Sequence, residues 1–307
     1  MHVQENQDSL WQDYWRERVV SLQNTQGKRS VLTTASTLVT AIASQSNKTL
    51  RILELGCGEG HILGEVRELC NEKGVPIGRY VGIDREAGAI ENARHLYPAI
   101  DFSVADYASE PLDLPPFDLV MLVGTLHEVY SANYSAALRG IDHAAGKRAV
   151  ERALLHAAQL VRSSGYLILF DGIEPLIPRK FQLTVRFESK DAWDEFQKFA
   201  TEYEAFPIIY EVLEPDQRIR LSIRDFTRYI TKTRFINTNL WSIERRESYQ
   251  YFNEDEFRRI FVEVGFDIKQ LQCSSPHLTD WQDRVTIETA GVSFPNEHIL
   301  VVGQLQE

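Results

Sequence analysis

Apolar positions along the chain follow two periods. Between residues 50 and 170, short apolar runs alternate with stretches of helical spacing. Residues 50–55 read as a strand, 62–70 as a helix, 79–84 as a second strand and 86–96 as a helix. Residues 101–106 and 117–123 read as the third and fourth strands. A long helix over 147–161 places Val150, Ala153, Leu154, Ala157 and Val161 on one face, and 165–170 reads as the fifth strand. Strands separated by helices predict a doubly wound α/β fold, a Rossmann-like parallel sheet with helices on both faces and right-handed crossovers.

The flanking segments have other patterns. Over 9–24, Leu10, Trp11, Tyr14, Trp15, Val19 and Leu22 recur at helical spacing. Gly27-Lys28-Arg29 then reads as a break before a second helix over 30–45. Residues 172–250 interrupt the alternation with aromatic and charged residues and two predicted helices, about 190–203 and 222–233. We read this stretch as an inserted, mainly helical cap that binds substrate or forms a homodimer interface. Its aromatics serve equally well as its own core. The alternating pattern resumes at Phe252. Asn253 and Glu256 have the spacing of a capping box, and Gly265 closes a helix over 254–264. Two strands follow, 266–273 and 298–305, joined by a long loop that holds Trp281. The expected organisation is N-terminal helices over 1–47, a core of 48–171 and 251–307, and the cap over 172–250.

Charge narrows the function. The 307 residues carry 33 basic and 44 acidic side chains, a net charge of −11, with no dense basic tract. A nucleic-acid binder usually shows a basic stripe, so a nucleic-acid partner is not expected. Cys57, Cys70 and Cys273 form no CxxC pair and no zinc spacing, and reduced thiols in a cytoplasm are the simplest reading. Residues 1–8 lack the basic and apolar parts of a signal peptide, and no apolar run approaches the roughly 20 residues needed to cross a bilayer. No His, Asp or Glu spacing suggests a metal site.

The chemistry concentrates at strand ends. The first strand runs into Glu54-Leu55-Gly56-Cys57-Gly58-Glu59-Gly60. A turn without side chains lets a ligand approach the backbone closely. The run lacks the Gly-Lys-Ser/Thr ending of a phosphate-binding loop. Its third glycine also comes one position too early for a dinucleotide fingerprint. Asp84 closes the second strand and Asp106 the third, with Tyr107 beside it; Gly124 follows the fourth. Ligands of open parallel sheets bind at these carboxyl ends.

Together these marks resemble class I S-adenosylmethionine-dependent methyltransferases, particularly bacterial enzymes acting on small molecules. The resemblance covers about residues 50–171. It implies a seven-stranded sheet in the order 3-2-1-4-5-7-6 with strand 7 antiparallel, and S-adenosyl-L-methionine as cofactor with S-adenosyl-L-homocysteine as product. It implies that the backbone of Gly56, Cys57, Gly58 and Gly60 passes close to the methionyl part, with Glu54 acting there through water or the amino group. Gly124 belongs to the same expected cofactor set. A carboxylate such as Asp84 can accept both ribose hydroxyls. Asp106 can accept from the adenine amino group, and Tyr107 can pack on the adenine face.

Leu126-His127-Glu128 follows the fourth strand and resembles the Leu-His-Asp of small-molecule O-methyltransferases, where the histidine is the base. His127, with an ordinary pKa near 6.5, suits that role, and Glu128 could orient it or bind an acceptor amine. Asp171 reads either as a substrate contact or as a turn acid. The expected reaction is in-line methyl transfer to a small-molecule acceptor. Two alternatives stay open: an RNA or protein methyltransferase, and a non-catalytic module that binds the cofactor and partners.

Overall fold

A computed structural model describes residues 26–45, 49–178, 180–213, 217–275 and 277–306. The helix expected over 9–24 lies outside them. The chain opens with α1 (Gln26–Gln45), followed by β1 (Leu50–Leu55), α2 (His61–Glu72), β2 (Ile77–Asp84), α3 (Ala87–Leu96), β3 (Asp101–Val104) and β4 (Phe117–Val123). Next come α4 (Leu126–Ser131), a small hairpin of β5 (Tyr134–Ser135) and β6 (Gly140–Ile141), α5 (His143–Gln159) and β7 (Val161–Gly172).

The insert holds β8 (Gln182–Phe187), α6 (Lys190–Glu202), β9 (Tyr210–Leu213), β10 (Arg218–Ser222), α7 (Ile223–Ile230) and α8 (Trp241–Glu244). The chain then returns through α9 (Glu254–Glu263), β11 (Phe266–Ser274), α10 (Leu278–Trp281), β12 (Val285–Ile287) and β13 (His298–Leu305).

Seven strands form one sheet in the order β11-β13-β7-β4-β1-β2-β3. Strand β13 is antiparallel to both neighbours, β7 and β11, and the other pairings are parallel. This is the expected 3-2-1-4-5-7-6 order with its seventh strand reversed. Alternation of side chains along the strands builds two cores. Ile52, Met121 and Ile168 face Val31 of α1 and Leu63 of α2. Leu53, Val120 and Leu167 face the other way, with Val150 of α5 and Phe257 of α9. Strands buried on both faces must be apolar throughout, which is why β4 reads as a continuous apolar run except for Asp118.

Helix α1 corrects one expectation. Gly27 does not break a helix; α1 begins at Gln26 and runs through it. A Cβ at Gly27 would lie 2.4 Å from Phe170 Cζ, so the glycine lets the helix approach the end of β7. Helix α9 starts with the expected capping box, Asn253 and Glu256 each bonding the other's backbone N–H, and Gly265 (φ +95°) follows its end.

The insert contains the two expected helices and also a sheet that the sequence reading lacked. Its four strands lie in the order β12-β8-β10-β9, all antiparallel. Strand β12 comes from the loop between β11 and β13, so that loop folds with the insert. Most insert aromatics form its own core: Phe196 lies 5.1 Å from Phe187, 6.4 Å from Phe199 and 5.2 Å from Tyr229, between ring centroids. This core is continuous with the one beneath the main sheet. No described helix is long and apolar enough to cross a membrane.

Candidate active site

The parallel register of β1 with β2 and β4 brings three carboxyl ends side by side. The glycine turn leaves β1 with Gly56, Gly58 and Gly60 at φ +72°, +53° and +77°, a region that L side chains avoid. A Cβ at Gly56 would fall 2.2 Å from Thr125 Oγ1, so the turn packs directly on the loop after β4. The turn is anchored by backbone and acid. Gly56 and Cys57 N–H donate to Ile83 O, Gly60 N–H to Cys57 O, and Gly58 N–H to Asp84 Oδ2 at 2.7 Å. Glu54 is buried, and its Oε2 accepts from Leu63 N–H at 3.1 Å.

Two cavities flank this turn. The smaller is lined by Gly56, Asp84, Asp106, Tyr107, Thr125 and Glu128, among others. Asp84 accepts one amide on each oxygen, Gly58 N–H and Glu86 N–H, which leaves further lone-pair directions on both. Asp106 closes its own turn: Oδ1 accepts from Ala108 and Ser109 N–H, and Oδ2 from Ser109 Oγ. Tyr107 is 5% exposed, and its hydroxyl lies 3.2 Å from Thr125 Oγ1. Its ring is thus mostly core, with one part on the cavity wall.

The larger cavity has an empty volume of about 990 Å³, its open mouth included. Glu54, Gly56, Cys57, Gly124 and His127 line it from the sheet side, and Thr231, Arg234, Phe235, Leu240, Glu244 and Tyr249 from the insert. Lys28 of α1, His277 and His298 complete the wall. Among the described residues, a Cβ at Gly124 (φ +62°) would meet nothing nearer than His127 Cε1 at 3.9 Å. A side chain there would intrude on space beside the imidazole that the glycine keeps clear.

His127 and Glu128 are adjacent but serve different cavities. Glu128 turns to the smaller one, its Oε2 4.0 Å from Arg85. His127 turns to the larger one and is 8% exposed. The acid that orients it is Asp171 rather than Glu128. Asp171 Oδ1 lies 2.8 Å from His127 Nδ1 and accepts Gly172 N–H; Oδ2 accepts the backbone N–H of Leu126 and His127. With its oxygens already accepting from amides, the carboxylate assigns the proton to Nδ1 and leaves the Nε2 lone pair outward. On that side Glu247 Oε2 stands 3.9 Å away, and Tyr249 packs edge-on at 4.2 Å between centroids.

Burial pulls the His127 pKa down. The charge and hydrogen bond of Asp171, then the charges of Glu247 and Glu128, more than offset this and hold it above its ordinary value. Glu247 is pushed up to about 7, first by burial and then by the charge of Glu244. Glu244 itself is held by Lys232 Nζ at 2.6 Å and the Tyr249 hydroxyl at 2.8 Å.

The expected site residues therefore gather around one glycine turn: Glu54, Cys57, Gly124 and His127 line the larger cavity, Asp84, Asp106, Tyr107 and Glu128 the smaller, Gly56 both, and Gly58 and Gly60 neither. Sequence reading missed the partnership of Asp171 with His127, and also Thr125, Glu244, Glu247 and Tyr249. Asp171 at the end of an apolar strand was a local signal and Thr125 directly precedes Leu126-His127; Glu244, Glu247 and Tyr249 come from a distant segment.

The chain is similar in part to known methyltransferases. Residues 52–146 match a family model described as a methyltransferase domain. A curated relative, bearing the name methyltransferase 235L, from Invertebrate iridescent virus 6, is 34% identical over 76 residues, which is 25% of this chain and 26% of the relative. The chain thus spans about a quarter of that relative's length. Among solved structures, the CMeT domain of the citrinin polyketide synthase is similar at 14% identity and a TM-score of 0.50, covering 95% of this chain and 57% of that one. An S-adenosylmethionine-dependent methyltransferase from Mesorhizobium loti aligns at 15% identity and a TM-score of 0.47, covering 83% of this chain and 91% of that one. Residues 52–146 thus match a methyltransferase-domain model, and the seven-stranded sheet has the Rossmann-like order of the class I methyltransferase fold.

Proposed function

We propose that the protein moves a methyl group from S-adenosylmethionine to a small-molecule acceptor, with His127 as general base. The observation that carries this reading is the His127–Asp171 pair, buried beside the glycine turn with Nε2 directed away from its carboxylate. S-adenosylmethionine, when bound, supplies a methyl group made electrophilic by its sulfonium. Glu54, Gly56, Cys57, Gly58, Gly60 and Gly124 would hold the methionyl end, Asp84 the ribose, and Asp106 with Tyr107 the adenine. The left-handed turn, the clear space at Gly124 and the spare acceptor capacity of Asp84 all suit that cofactor.

The protein's own part is alignment, exclusion of water and management of one proton. Alignment supplies much of the acceleration of an in-line displacement. His127 Nε2 takes the proton of the acceptor's nucleophile, and Asp171 keeps Nδ1–H and stabilises the imidazolium that forms. Glu247, at 3.9 Å, adds to that stabilisation. The insert and α1 cover the cavity, which restricts solvent at the reacting centre. A homodimer would use the insert's exposed edge, where Ile209 and Val212 are 74% and 51% exposed on and beside β9; sedimentation velocity reads this directly.

The test is transfer from methyl-labelled S-adenosylmethionine into an extract of the source cells, with products separated by size. Label in small molecules supports the reading. Label confined to RNA or protein would replace the acceptor class, and cofactor binding without any transfer would favour a non-catalytic module.

A further inference from the structure

One wall of the larger cavity is basic. Four side chains from four separate segments meet there: Lys28 of α1, Arg234 after α7, His277 before α10 and His298 at the start of β13. Arg234 Nη1 lies 3.0 Å from the ring nitrogens of His277, and the His277 and His298 rings are 5.7 Å apart. His298 is stacked on Phe170 at 5.2 Å between centroids, with the planes 3° apart, which fixes its orientation. Its Nδ1 is buried with no hydrogen-bond partner among the described residues. A buried polar atom normally finds a partner, so an orphan on a cavity wall marks a place for one.

The nearby acids have other tasks. Glu297 is fully buried and holds Trp281 Nε1 at 3.0 Å, and Asp280 lies 3.5 Å from His277 Nδ1 in a more exposed position. Burial first, and then the charges of Arg234 and Lys28, hold His277 below its ordinary pKa despite the help of Asp280; burial first, and then the charges of His277, His127, Lys28 and Arg234, hold His298 well below its own. An oxyanion against this wall would relieve that repulsion and supply the missing acceptor.

We propose that this wall anchors the methyl acceptor: a small oxyanion-bearing molecule whose carboxylate or phosphate is held by Arg234, His277 and His298, with its nucleophile at His127. This rests on the methyl-transfer reading above. Two ring-to-ring steps join anchor and base, 4.2 Å from His127 to Tyr249 and 6.3 Å from Tyr249 to His298. These steps set an upper bound on the separation, short enough for one small acid to reach both.

The test uses protein saturated with S-adenosylhomocysteine, titrated calorimetrically with inorganic phosphate and, separately, with 4-hydroxybenzoate. We expect one probe to bind the loaded protein. Arg234→Gln weakens that binding at least tenfold and leaves S-adenosylhomocysteine affinity within twofold, while Arg234→Lys recovers part of the loss. Which probe binds identifies phosphate or carboxylate as the anchored group. His298→Asn provides a second variant should Arg234→Gln fail to fold, with the same expected loss. The proposal is overturned if neither probe binds the loaded protein or if both variants bind as wild type does. It is also overturned if the variants lose S-adenosylhomocysteine by the same factor, which would make the wall a cofactor contact. Failure of wild-type protein to bind S-adenosylhomocysteine at all would instead refute the methyl-transfer reading.

Discussion

Replacing Asp171 by Asn changes the charge beside His127 with little change of shape. Its oxygens serve three backbone N–H groups and the imidazole. An Asn side chain has one oxygen. If that oxygen stays on Leu126 and His127 N–H, the amide NH₂ meets Gly172 N–H and His127 Nδ1. Gly172 N–H then loses its acceptor, at a cost of about 1–3 kcal/mol of stability. Nδ1 must also become the acceptor, which moves the ring proton to Nε2, the nitrogen that has to be bare.

The loss should therefore approach that of the base itself, about 10²–10⁴ in kcat. The pH profile carries a second signature. The base works as neutral imidazole, so turnover rises as pH climbs through the folded pKa, which Asp171 holds above the ordinary value. In Asp171→Asn the charge and its hydrogen bond disappear and burial remains, so the acidic limb moves to lower pH while the plateau falls. The assay is kcat against pH with saturating cofactor, paired with a urea melt to confirm folding. A folded variant with a plateau within threefold of wild type, or an unmoved limb, would refute the reasoning.

Other parts of the account can be perturbed separately. Glu297 is fully buried and its pKa is pushed up to about 8, mainly by burial. Its folded pKa exceeds the unfolded one, so its favourable contribution is fully present below about 4.5 and is lost as pH rises through about 8. Glu297→Gln should remove this dependence and raise stability at pH 9 by up to a few kcal/mol, on the scale of ~1.4 kcal/mol per pKa unit; parallel urea melts at pH 6 and 9 would show it. Gly56→Ala places a Cβ 2.2 Å from Thr125 Oγ1 at φ +72°. It should cost more than the ~1–2 kcal/mol of left-handed strain alone and weaken S-adenosylhomocysteine binding, read by calorimetry. Lys232→Met leaves Glu244 buried beside the Tyr249 hydroxyl alone and should cost about 3–5 kcal/mol. The double variant Lys232→Met/Glu244→Gln should recover much of that in the same melt.

The sheet was legible in the sequence because its strands are buried on both faces. Residues 117–123 could hardly be anything but a central strand, and Asn253 with Glu256 announced α9 through a local capping geometry. The glycine turn was legible for a similar reason, since its left-handed backbone demands glycine at fixed positions. Gly27 misled because a glycine that admits a neighbour looks the same as one that breaks a helix. The insert's sheet did leave a trace: Leu183, Val185 and Phe187 alternate with polar residues and are all buried. The trace is short, and its pairing strands lie as far away as 285–287. The His127–Asp171 contact spans 44 positions, and the basic wall joins four segments. Only the folded topology brings such residues together.

The most direct test of the central claim compares wild type with His127→Ala, following methyl-labelled S-adenosylmethionine into the small-molecule acceptor while S-adenosylhomocysteine affinity is measured on the same preparations. The account predicts transfer by wild type and a loss of about 10²–10⁴ in kcat for His127→Ala, with cofactor affinity within threefold. Equal transfer by the two proteins would contradict the base assignment, and no cofactor binding by either would contradict the methyltransferase reading itself.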